Sequence, residues 1–171
     1  IFPLEVYFQN NPERRPTEGL GSSDLWRGYK AIFEIINNQL FVRDLMIRKD
    51  FPDNWEPPQC EYVSFMREVF PCHYAVMADW FTGLIEIAYT EPQNYVETGC
   101  NRTIFEFQAG NLTRKVELNE QEFADFKTRQ YESFEKTEEY KKLYSQFQVY
   151  EDFPSYTASH IREYVLQYTP R

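Results

Sequence analysis

The 171-residue sequence contains only two histidines and three cysteines, and it has no long apolar run. His73, His160, Cys60, Cys72 and Cys100 show neither a CxxC pair nor the close ligand spacing of zinc sites. An odd number of scattered thiols is typical of a reduced protein, so we expect a cytoplasmic location. No stretch approaches the roughly 20 apolar residues of a membrane-spanning helix. The sequence therefore predicts no metal, no cofactor and no membrane association.

Basic residues are also scarce: the 18 lysines and arginines are outnumbered by 27 acidic residues, and the net charge is -9. The deficit is largest in residues 51–110, where Arg67 and Arg102 are the only bases. A nucleic-acid backbone or an anionic membrane would meet net repulsion, so neither is an expected partner. The same charge would attract a basic protein partner. Solubility alone is the other explanation of the charge.

What the sequence does contain is a clear strand pattern around Asn37-Asn38. A two-residue turn there predicts a hairpin over residues 29–47 and sets its register. The predicted cross-strand pairs are Ile35 with Leu40, Phe33 with Val42, Ala31 with Asp44, and Tyr29 with Met46. One face of this hairpin is then apolar except for Asp44, which would need a base or hydrogen-bond donors nearby.

A second hairpin is predicted over residues 103–118, with Gly110-Asn111 as its turn. Its register places Glu106 opposite Lys115, and Phe107 opposite Arg114 on the face expected to be buried. Residues 78–89 alternate in polarity and predict a further strand. These patterns together predict an α+β fold with an antiparallel sheet.

The carboxy-terminal third changes to a helical pattern at Asn119, where Asn119 and Glu122 have the spacing of a capping box. We predict one helix from there to about residue 150 and a second over residues 157–168. Residues 1–24 are rich in proline and glycine, which predicts an irregular arm with one turn around residues 4–9. We expect a single domain over residues 1–171, with a sheet-rich part to residue 118 and a helical part beyond.

The sequence has none of the usual nucleotide, zinc-protease, hydrolase or calcium motifs, so we predict no catalytic residues. The strongest candidates for a binding site are aromatic and charged residues of the predicted sheet: Trp26, Arg27, Asp44, Asp79, Trp80 and Glu86. A Trp–Arg pair can hold a carboxylate, and carboxylates can serve a sheet-lined pocket. A purely structural role is the alternative for each of them.

Four short motifs carry a resemblance to a known family. They are Pro3-Leu4-Glu5-Val6-Tyr7-Phe8, Pro12-Glu13-Arg14-Arg15-Pro16, Leu25-Trp26-Arg27-Gly28-Tyr29 and Ala78-Asp79-Trp80-Phe81-Thr82-Gly83. In these the chain resembles, over residues 3–118, a family of small bacterial proteins, some of which occur near secreted toxins. The resemblance implies a compact bacterial protein with an immunity or inhibitory role. It implies no catalytic residue.

The sequence thus favours a non-catalytic binding protein that captures a basic partner through residues 51–110 and the helix after residue 119. The alternative is a small-molecule-binding protein or hydrolase that uses carboxylates in a sheet-lined pocket. A third interpretation is a homodimer formed through the carboxy-terminal helices.

Overall fold

The computed structural model describes residues 2–17, 25, 27–49, 61–71, 73–88 and 102–147. Their elements are, in chain order, α1 (Pro3–Asn10), a 3-10 turn (Pro12–Arg14), β1 (Tyr29–Ile36), β2 (Gln39–Lys49), β3 (Glu61–Ser64), α2 (Met66–Val69), β4 (Val76–Met77), β5 (Gly83–Ala88), β6 (Arg102–Gln108), β7 (Asn111–Leu118), α3 (Glu120–Phe134) and α4 (Glu138–Phe147). The fold is α+β with an antiparallel sheet, as the sequence predicts.

Seven strands are hydrogen-bonded in the order β1-β2-β7-β6-β5, and β3 and β4 pair with β2. The described residues divide into two compact units. We call the part within Phe2–Thr82 and Phe107–Leu112 the amino-terminal unit. The part within Gly83–Glu106 and Thr113–Arg171 is the carboxy-terminal unit.

The hairpin β1–β2 turns at Asn37 and Asn38, both of which have positive φ. Asparagine tolerates this conformation, and successive positive φ values match the twist of a hairpin. The predicted register is correct next to the turn, where Ile35 faces Leu40 and Phe33 faces Val42.

Beyond the turn the predicted register of this hairpin is wrong by one residue, because a bulge intervenes between Ile32 and Phe33. Ile32 faces Asp44, and the extra residue on β2 is Arg43. The shift lets Leu45 and Ile47 follow Leu40 and Val42 onto the buried side of β2. Strict alternation would have put a carboxylate there, and an unpaired buried carboxylate is costly.

The core of the amino-terminal unit joins α1 to this hairpin. Leu4 and Phe8, four residues apart on α1, are buried with Tyr29, Val42 and residues of α2. The sequence predicted only a turn here, whereas Pro3–Asn10 forms a helix of two turns. Pro3 lies in its first turn, where proline loses no helical hydrogen bond.

The strand predicted over residues 78–89 is shorter than expected, because β5 begins at Gly83. Before it, the Phe81 amide donates to the Ala78 carbonyl at 2.9 Å and closes a turn. That turn buries the Phe81 side chain completely. Tyr89 lies outside the described residues.

The second hairpin turns one residue earlier than predicted, at Ala109-Gly110. Both residues have positive φ, so the turn resembles the Asn37-Asn38 turn. The Gly110 amide donates to the Phe81 carbonyl, and the Gly110 carbonyl accepts from the Leu40 amide, both at 2.8 Å. These bonds to other segments stabilise the turn at Ala109-Gly110, one residue before the predicted Gly110-Asn111.

The predicted capping box at α3 is confirmed, since the Asn119 side chain accepts from the Glu122 amide and the Glu122 carboxylate accepts from the Asn119 amide. The long helix predicted after it is interrupted, however. Thr137 ends the first segment by donating from its hydroxyl to the Phe134 carbonyl. The same hydroxyl then accepts from the Tyr140 amide and begins α4. The helix predicted over residues 157–168 lies outside the described residues.

A second core lies in the carboxy-terminal unit. Leu84 of β5, Ile104 of β6 and Phe123 of α3 are buried together, with Leu118 and Phe126 packed against them. None of the described helices has the length and apolar content needed to cross a membrane.

Candidate functional site

Among the residues proposed from the sequence as a binding site, Trp26 lies outside the described residues. The guanidinium of its neighbour Arg27 lies over the Phe2 ring, 3.1 Å from the ring centroid. Arg27 thus makes a cation–π contact with the residue just before α1. Such a contact can hold a chain segment in place.

The two carboxylates proposed from this unit have different surroundings. The Asp44 carboxylate accepts from the Ser64 hydroxyl at 2.7 Å and from the Leu45 amide at 2.8 Å. It therefore links the bulged part of β2 to the end of β3. Asp79 is exposed in the turn between β4 and β5.

Trp80 is part of an aromatic cluster under α1. Its ring stacks on Phe70 at 5.8 Å between centroids and packs at 4.7 Å from Tyr7. Its indole nitrogen donates to the Pro3 carbonyl at 3.0 Å. This bond links the beginning of α1 to the turn before β5.

Glu86 lies in the carboxy-terminal unit, where it forms an ion pair with Arg102 on the neighbouring strand. The Arg102 guanidinium also lies 4.4 Å from the centroid of the Phe123 ring. Each described residue of the predicted site other than Asp79 therefore has a contact within its own unit that can account for it.

The motifs that carry the family resemblance meet in the amino-terminal unit. Tyr29 donates from its hydroxyl to the Glu5 carboxylate at 2.6 Å, and Arg15 forms an ion pair with the same carboxylate. Burial, followed by the bond to Glu5, raises the pKa of Tyr29 far above its ordinary value. Three motifs are thus joined at Glu5, and the bond from Trp80 to Pro3 joins the fourth. Their convergence supports a role in folding.

A cavity in the described part of the chain lies in the carboxy-terminal unit, between the β5–β6–β7 strands and α3. Its volume is about 100 Å³. It is lined by Leu84, Ile104, Glu106, Arg114, Val116, Phe126 and Gln130. The space is large enough for several water molecules or for one inserted side chain.

The cavity combines an apolar wall with three polar side chains. The buried Leu84 and Ile104 form part of that wall. The Gln130 side-chain oxygen is shielded from solvent, and it has no hydrogen-bond partner among the described residues. A buried acceptor without a donor is costly, so the oxygen favours a ligand or water that donates to it.

Glu106 and Arg114 supply opposite charges at the same cavity. Glu106 is half-buried, whereas Arg114 is exposed. The cavity can therefore accept an apolar group, a hydrogen-bond donor and a charged head. It offers no histidine or cysteine, and the described residues contain no cluster of three or more metal-ligating side chains.

The sequence prediction missed this cavity. The predicted register placed Arg114 on the face expected to be buried, but the turn that set this register was misplaced by one residue and Arg114 is exposed. Gln130 follows Phe126 by four residues and so shares its face of α3, but the sequence does not show that the Gln130 side-chain oxygen is shielded from solvent without a partner.

Comparisons of the chain with protein-family models, with curated proteins and with solved structures find no match. The resemblance to small bacterial proteins therefore stays a prediction.

Proposed function

We propose that this protein is a binding protein rather than an enzyme, and that it captures a basic protein partner. The observation that carries the proposal is the cavity beside α3, where the buried Gln130 oxygen and the Glu106 carboxylate adjoin an apolar wall. Both groups are hydrogen-bond acceptors when glutamate is ionised. The site thus matches a lysine side chain of the partner, because the lysine ammonium group has hydrogen-bond donors and no acceptor.

A lysine side chain has the right construction for this cavity. Its aliphatic stem can pack on apolar surface while its ammonium group reaches polar atoms. In the proposed complex the stem contacts Ile104, Val116 and Phe126, and the ammonium group donates to Glu106 and Gln130. The net charge of -9 adds long-range attraction toward a basic protein.

Arg114 distinguishes this proposal from its alternative. Its positive charge at the cavity opposes a bound lysine, so replacing it should strengthen lysine binding. A small molecule that carries a carboxylate would instead pair with the Arg114 guanidinium. This second candidate, a small-molecule-binding protein, predicts the opposite effect of the same substitution.

The test is a titration of the protein with the peptide acetyl-Ala-Lys-Ala-amide, followed by NMR chemical shifts. We expect Glu106→Gln to weaken binding by about tenfold, because it removes a charge-assisted hydrogen bond. We expect Arg114→Gln to strengthen binding. A peptide with norleucine in place of lysine keeps most of the stem, loses the ammonium group, and should bind much less.

Glu117→Gln is the matched control, because Glu117 is an exposed carboxylate on the same hairpin that pairs with Lys115 and does not line the cavity. It should leave the affinity unchanged. Equal binding of the lysine and norleucine peptides would reject the proposal. Weaker binding of acetate or propionate in Arg114→Gln than in the wild type would favour the small-molecule alternative.

A further inference from the structure

The strand β1 is at one end of the order of the described strands and carries exposed apolar side chains. Among the described strands it pairs only with β2. Ile32 is 48% exposed and Ile35 is 37% exposed, although both belong to this strand. A strand edge with apolar side chains is a template for pairing with another strand.

We propose that two copies of the chain form a symmetric dimer by antiparallel pairing of their β1 strands. The pairing is centred on Ile32, which faces Ile32 of the partner subunit. In this register Lys30 lies opposite Glu34 of the partner subunit, and the symmetry axis repeats the pair. Symmetric dimers need such a self-complementary patch, because the same surface serves both subunits.

The exposure pattern along β1 supports this register. Lys30, Ile32 and Glu34 alternate along the strand, so they share one face, and all three are exposed. Opposite charges placed two residues on either side of an apolar centre make the strand complementary to itself in the antiparallel direction. A parallel pairing would place like residues together and lose this complementarity.

The proposed pairing also covers the second exposed isoleucine. On the other face of the strand, Ile35 lies opposite Tyr29 of the partner subunit, and Ala31 lies opposite Phe33 of the partner subunit. The two large apolar residues that β1 exposes are thus covered by one register. The bulge does not interfere, because its extra residue, Arg43, lies on β2.

Two contacts within the subunit hold the charged side chains on this face. The Lys30 ammonium lies 4.0 Å from the centroid of the Tyr62 ring, and the Glu34 carboxylate lies 3.0 Å from the Arg43 guanidinium. Arg43 lies on β2 and Tyr62 lies on β3, so both contacts are made on the β2 side of β1. In the proposed dimer, Lys30 and Glu34 must therefore share or exchange these contacts for the pairs across the β1 edge.

The test is sedimentation velocity of the full chain over a range of protein concentrations. We expect the wild type to form a dimer, and Lys30→Glu or Glu34→Lys to raise its dissociation constant by about tenfold or more, since each creates two like-charged pairs. The double variant K30E/E34K exchanges the charges and should restore the dimer. A rescue of this kind separates the proposed register from a general effect of charge.

Ile32→Lys provides a second variant, because it puts like charges on the symmetry axis at an exposed position. Its matched control is Val63→Lys on β3, which changes a side chain of 37% exposure away from the β1 edge. The control should dimerise as the wild type does, and thermal melts check the fold of every variant. A wild type that stays monomeric, or a dimer that Ile32→Lys leaves intact, overturns the proposal.

Discussion

At the scale of single residues, Gly110 shows how tightly the turn of the second hairpin packs. Its φ is +73°, and a Cβ added to it would lie 2.7 Å from the Ala78 carbonyl oxygen. That oxygen belongs to the turn closed by Phe81, which also accepts the Gly110 amide. A larger residue therefore meets both an unfavourable conformation and a backbone atom with little room to move.

We expect Gly110→Ala to lower the free energy of unfolding by about 2–4 kcal/mol, which combines the left-handed conformation with overpacking. Urea denaturation measures the change. Ala109→Gly is the matched control, because Ala109 is exposed with a φ of +45°. The control should keep or raise the stability, and a loss in it equal to that of Gly110→Ala would contradict the explanation.

At the scale of elements, the side chain of Thr137 makes hydrogen bonds on both sides of the break between α3 and α4. Thr137 bonds the end of one helix and the beginning of the next, and the two helices pack through aromatic rings near it. Tyr140 meets Phe134 at 5.5 Å between centroids, and its hydroxyl lies 3.2 Å from the hydroxyl of Tyr131. Burial and the bond with Tyr131 raise the pKa of Tyr140.

We expect Thr137→Ala to lower the free energy of unfolding by about 1 kcal/mol, because it removes the side-chain cap of α4. Thr137→Ser keeps the hydroxyl and should lose much less. Urea denaturation followed by the helical circular dichroism signal measures both variants. Equal losses in the two variants would show that the threonine methyl group, and not the cap, stabilises the break.

The sequence prediction succeeds and fails at this scale for an identifiable reason. The Asn37-Asn38 turn and the Asn119–Glu122 capping box were predicted correctly, because neighbouring residues set them: both asparagines tolerate positive φ, and Asn119 and Glu122 bond each other. The bulge at Arg43 was missed, because it serves the burial of Leu45 and Ile47 against α1 and α2. The Ala109-Gly110 turn was misplaced by one residue for the same kind of reason.

At the scale of the whole molecule, the free energy of unfolding should fall in the alkaline pH range. Tyr29 is buried and donates to Glu5, so its pKa in the folded protein lies far above its ordinary value. Tyrosine in the unfolded chain ionises near pH 10. Above that pH the unfolded state has lost a proton that the folded state keeps, so the free energy of unfolding should fall as the pH rises.

Urea denaturation between about pH 9 and pH 11 tests this expectation, since that range spans the ordinary tyrosine pKa. Tyr29→Phe should be less stable than the wild type at pH 8, because it loses the bond to Glu5, and its stability should fall less steeply above pH 10. Tyr74→Phe is the control, because this side chain is 82% exposed. Equal slopes for the wild type and Tyr29→Phe would exclude Tyr29 as the cause.

The sequence by itself determined the α+β class, the two hairpins, the start of α3 and the acidic charge. Each of these follows from residues close in the chain or from composition, so no distant contact was needed. Only the tertiary structure decided that Asp44 bonds Ser64, that Glu5, Arg15 and Tyr29 meet, and that Gln130 joins Glu106 and Arg114 at one cavity. These side chains come from segments far apart in sequence, and packing between the segments brings them together.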